Sequence, residues 1–119
     1  MFFFGDVEAQ ADTYIQSALA DSKRKVRDCH YEEMTQKEAR VALVHLRMAL
    51  KDAMRDGAPE EVEEELLARY EELLIYMLGF DRDIQRALET GAYRPHRRGP
   101  HLGRIRAAFT EITGRVIPD

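Results

Sequence analysis

The sequence predicts an all-α fold: a small bundle of four to five helices built on an antiparallel helical hairpin over about 36–56 and 60–78. Three observations carry that expectation. Apolar residues return with a helical period along most of the chain, and all four prolines lie outside the segments so defined. No long stretch alternates with the period of two that a half-buried strand needs. Only Arg115–Ile117 leaves room for a short terminal strand.

The first helix is expected over 7–29, with Asp6 as its N-cap. Its apolar residues Val7, Ala11, Tyr14, Ile15, Ala18, Leu19, Val26 and Cys29 fall within an arc of about 140° at ~100° per residue. The second starts more firmly. Thr35-Gln36-Lys37-Glu38 is a capping box, in which hydroxyl and carboxylate satisfy orphan N–H groups of the first turn. That helix should run to Asp56 and stop at Gly57, a residue free to turn left-handed. Pro59 and four glutamates (Glu60, Glu61, Glu63, Glu64) then open a third helix, where the dipole favours anions. The joint Asp56-Gly57-Ala58-Pro59 is so short that the two helices must run antiparallel. Gly79 ends the third helix near Leu78, and Asp81 caps a short fourth one that Gly91 closes. Residues 92–101 hold two prolines and a glycine and should be irregular. A last amphipathic segment follows, with Leu102, Ile105, Phe109 and Ile112 on one stripe.

Two helices differ in how many faces they need to bury. The third buries Val62, Leu66, Leu67, Tyr70, Leu73, Leu74 and Met77, leaving Glu61, Glu64, Glu65, Glu71 and Glu72 as a solvated acidic side. The second buries a main stripe of Ala39, Ala42, Leu43, Leu46, Leu50, Ala53 and Met54. It also carries Val41, Val44 and Met48 on roughly the opposite side, among Lys37, Arg40, Arg47, Lys51 and Arg55. A helix with two apolar faces is either covered twice within its own domain or meets a partner. Exposure of Met48 decides between these.

At 119 residues the chain has room for one domain, large enough to fold without disulfide or metal. Its net charge of −4 conceals an asymmetry. Residues 1–93 carry 12 basic and 20 acidic side chains, a net of −8, whereas residues 94–119 carry six and two, a net of +4. The expected organisation is therefore an acidic helical bundle, 1–91, and a basic, proline-containing linker with a C-terminal helix, 92–119. Opposite-sign segments point to intramolecular docking, self-association or an anionic partner.

Several classes are disfavoured. The longest apolar run, Leu73–Leu78, is far short of the ~20 residues of a membrane span. The N-terminal segment has no basic leader, long apolar stretch or cleavage site, and residue 2 is not glycine, so neither signal-peptide secretion nor myristoylation is expected. A single cysteine, Cys29, fits a reducing compartment, and the expected location is the cytoplasm or the interior of an assembled particle.

Chemical signatures are lacking. None of the four histidines has a glutamate three positions before it, which removes the Glu-x-x-His di-iron pattern. Neither His-Glu-x-x-His nor Cys-x-x-Cys occurs, and Arg97 and Arg98 between His96 and His101 would repel a divalent cation. Cys29 and His30 point ~100° apart on a helix and form no dyad. Asp81 and Asp83 lack the glycine and distal glutamate of a calcium loop, and no phosphate-cradling glycine motif is present. No metal, cofactor or small-molecule substrate is therefore expected, and no catalytic residue is assigned.

Surfaces remain. Arg94, His96, Arg97, Arg98 and His101, followed by Arg104, form a basic strip stiffened by Pro95 and Pro100, suited to an anionic partner or nucleic acid. Phe2, Phe3 and Phe4 exceed what a hydrophobic staple uses, so they either fold back into the chain's own core or enter a neighbour's groove. Together with Val41, Val44, Met48, Arg40 and Arg47, they make the expected protein interface. The leading expectation is a non-enzymatic subunit of a larger complex, such as a viral particle component or a small subunit of a nucleoprotein complex, binding a protein partner or its own copies. The alternatives are a nucleic-acid-binding module or regulator acting through Arg94–His101, and a small helical enzyme without a recognisable motif.

Overall fold

The computed structural model describes residues 4–15, 31–95 and 99–118. The fold is all-α, with five α-helices and one 3-10 turn and no strand among the described residues. The helices are α1 (Phe4–Thr13), α2 (Gln36–Asp56), α3 (Glu60–Leu78), α4 (Arg82–Thr90) and α5 (Leu102–Thr113); the 3-10 turn is Tyr31–Glu33. The chain forms two compact units, one up to Tyr70 and one from Glu71, so α3 contributes residues to both.

In the first unit, α2 keeps the limits that its signals predict. The Glu38 amide donates to the Thr35 hydroxyl at 3.1 Å, and that hydroxyl lies 3.4 Å from the Glu38 carboxylate. At the other end Gly57 adopts φ 69°. Its amide donates to the Met54 carbonyl at 3.3 Å while Ala58 donates to Ala53 at 3.0 Å, the paired bonds of a Schellman cap. Pro59 then accepts from Val62 and opens α3. Between these ends α2 buries Ala39, Ala42, Leu46, Ala49 and Ala53. This alternating three-four spacing, alanine at four of five positions, lets neighbouring backbones approach closely. Val62, Leu66 and Tyr70 of α3 complete the core with Ala11, Ile15 and Met34.

The first helix departs from expectation. It begins at Phe4, so Asp6 lies inside it instead of capping it, and it ends at Thr13. Tyr14 and Ile15 donate to the carbonyls of Ala11 and Asp12, three residues back, and Thr13 donates its hydroxyl to Gln10 at 2.6 Å. Such i→i−3 bonds tighten the last turn and close the helix. Residues 16–30, including Cys29 and His30, lie outside the described residues.

In the second unit, Asp81 is a buried N-cap accepting from the amides of Asp83 and Ile84, at 3.0 and 3.3 Å. The Gln85 amide group donates to the Leu78 carbonyl at 2.7 Å, joining the end of α3 to α4. Tyr76 and Phe80 meet edge to face with ring centroids 5.4 Å apart. The core comprises Leu73, Leu74, Met77, Leu78, Leu88, Ile105 and Phe109. Ile117 is buried as well, but Arg115–Ile117 forms no strand, since a bend at Gly114 and Arg115 leads into irregular chain. Two residues read from periodicity as buried, Met54 and Ile112, are exposed. Met54 lies about 80° around α2 from Leu46 at the middle of the seam, at ~100° per residue, and so falls at the edge of the buried face.

Candidate interaction surface

The buried seam of α2 leaves the opposite side of the helix outward. At ~100° per residue, Lys37, Arg40, Val41, Val44, Arg47, Met48, Lys51, Met54 and Arg55 fall in one arc of about 140°, with Val44 near its centre. No aspartate or glutamate of α2 falls in that arc. Val44 is 57% exposed and Met48 46%, whereas Val41 is half-buried. Arg40 and Arg47 are exposed beside them, with Lys37 and Lys51. Arg55, at the end of the face, is partly neutralised by Asp52 at 3.1 Å and Asp56 at 3.6 Å. An open cavity of about 540 Å³ adjoins the other end, against Gln36, Lys37, Arg40 and Val41. The result is a short apolar stripe with cations along one flank (Arg40, Arg47) and at its ends (Lys37, Lys51), while Asp52, one turn after Met48, borders the other flank and pairs with Arg55.

The basic strip fares differently. His96, Arg97 and Arg98 lie outside the described residues, and Arg94 is exposed. His101 and Arg104 converge on one carboxylate of α3: His101 Nε2 lies 3.2 Å from Glu72 Oε1, and Arg104 forms an ion pair with the same group. The His101 amide faces Glu71 Oε1 at 3.4 Å. Glu71 and Glu72, expected on a solvated acidic side, instead hold the arm. Glu71 is fully buried and Glu72 half-buried. Gly99 presses so closely on the Glu71 carboxylate that a Cβ would meet its Cδ at 2.8 Å. The cause is tertiary, because the returning arm covers a helix side that periodicity assigns to water. Arg115 is likewise paired with Glu89.

Phe2 and Phe3 fall outside the described residues, and Phe4 is the first residue of α1. A polar cluster that the apolar pattern overlooked lies in the first unit. Arg69 is only 5% exposed and donates to Asp12 at 2.5 Å and Glu65 at 2.9 Å. A signal was present, since Arg69 continues the Val62–Leu66–Leu73 spacing, and a cation on a buried stripe requires carboxylate partners.

Among the described residues no group of three or more His, Cys, Asp or Glu side chains could hold a metal ion, and no helix is long and apolar enough to cross a membrane. No protein-family model, curated protein or solved structure matches the chain.

Proposed function

We propose that this chain is a non-enzymatic subunit of a larger macromolecular assembly, in the cytoplasm or within an assembled particle, and that it contacts a protein neighbour through the outer face of α2. The observation carrying this reading is the exposure of Val44 and Met48 on an outer face of α2 that is rich in lysine and arginine. Apolar side chains of this size on a mid-helix face gain by burial, and the surrounding charge favours an acidic neighbour over a like-charged one. Two members of the basic strip, His101 and Arg104, already share Glu72, which leaves less free cationic surface there for a polyanion.

The test is native purification of the tagged chain from the cells that produce it, followed by mass measurement. The expected result is recovery in a complex well above the 13.8 kDa of one chain. The Val44→Asp/Met48→Asp variant should fold equally well and run as a free monomer. A wild-type chain that is monomeric throughout, or a complex indifferent to the double substitution, refutes the proposal.

A further inference from the structure

Resting on that reading, we infer that the partner element seated on α2 is an acidic amphipathic α-helix of a different protein. The apolar centre consists of Val41, Val44 and Met48, spaced three and four residues apart, so it forms a stripe along the helix axis. A stripe of that pitch accepts the i, i+3, i+4 side chains of a second helix laid along it. Arg47 lies on one flank of the stripe and Lys37 and Lys51 stand at its two ends, where carboxylates flanking the partner's apolar positions would reach them.

Three other occupants fit less well, each for a reason on this surface. A second copy bound face to face through α2 would set the cations of one chain against those of the other. A second copy offering the acidic first turns of α3 (Glu60, Glu61, Glu64) would supply charge and nothing apolar. Among the described residues the exposed large hydrophobics are Val44, Met48, Met54, Ile112 and Val116, none of them on α3. Nucleic acid would satisfy the cations but set phosphates against Val44 and Met48, which gain nothing from them.

The test uses the full chain and three fluorescent probes of equal charge in anisotropy titrations. They are a 21-residue glutamate-rich peptide with leucines at i, i+3, i+4 and i+7, the same peptide with every leucine replaced by glutamine, and an oligothymidine. The leucine peptide should bind at least about tenfold tighter than either control, a difference of ~1.4 kcal/mol. Val44→Asp/Met48→Asp should remove that preference, and Lys37→Glu/Lys51→Glu should weaken the leucine peptide by a further tenfold or more. Equal binding of the glutamine peptide, tighter binding of oligothymidine, or self-association at titration concentrations that the Val44→Asp/Met48→Asp change abolishes would each overturn the inference. The two proposals fail separately. A cellular complex that depends on Val44 and Met48 survives a negative peptide result, whereas its absence leaves the peptide comparison intact.

Discussion

Replacing Arg69 with methionine tests whether the first unit is held together by its buried ion pair. The substitution keeps an unbranched side chain of similar length and removes the cation between Asp12 of α1 and Glu65 of α3. Breaking a buried pair from one side costs about 3–5 kcal/mol when the remaining charge is shut away from water. Asp12 and Glu65 are 22% and 27% exposed, so water relieves part of that penalty and the expected loss is about 2–3 kcal/mol. Asp12→Ala leaves Arg69 with Glu65 and should cost less, about 1–2 kcal/mol. Because both changes remove the same contact, the double variant should fall short of their sum by at least ~1 kcal/mol. Against a total of roughly 5–15 kcal/mol for a domain of this size, these are large effects. Urea unfolding followed by far-UV circular dichroism measures all four proteins, and unchanged m-values would confirm that the native state is being compared. An Arg69→Met variant within about 0.5 kcal/mol of wild type, or strict additivity in the cycle, would refute the assignment.

Other consequences are simpler to test. Asp81→Ala removes a buried cap that accepts two amides, and should lower stability by about 1–2 kcal/mol in the same unfolding assay. Gly99→Ala drives a methyl group into the buried Glu71 carboxylate and should cost about 1–2 kcal/mol; Glu71→Ala in the same chain should recover part of it, as thermal melts would show. Glu72→Ala releases His101 and the exposed Arg104, and its cost of roughly 0.5–1 kcal/mol should shrink as salt is raised from low to near-molar concentration. Val44→Asp and Met48→Asp should each leave the unfolding midpoint nearly unchanged, within about 0.5 kcal/mol, while lowering recovery of the native complex.

The central hairpin was legible residue by residue. Thr35, Gly57, Pro59, Asp81 and Gly91 each act on backbone groups a few positions away, so their effect is readable wherever the chain later folds, whereas the Glu38 carboxylate meets the Thr35 hydroxyl. The second apolar stripe of α2 was legible too, since its opposition to the alanine seam follows from helical pitch alone. Whether anything covered that stripe was not legible. Coverage depends on segments distant in sequence, and it left Val44 outside while it buried Glu71. The limits of the first helix were not legible for a related reason: apolar spacing is compatible with a long helix but does not require one, and local bonds close α1 at Thr13, with residues 16–30 outside the described residues.

Local chemistry in the sequence thus determined the helices from Gln36 to Thr90, the caps of α2 and α4 and the antiparallel joint at Gly57, whereas α5 starts after His101 with no side-chain cap. The tertiary structure alone decided which polar groups leave water: Arg69 enters the core because Asp12 comes back to meet it, and Glu71 is buried because the arm at Gly99 and His101 closes over it. Charges can be placed in this way only when their partners arrive from elsewhere in the chain, since burying them without those partners costs more than the fold can sustain.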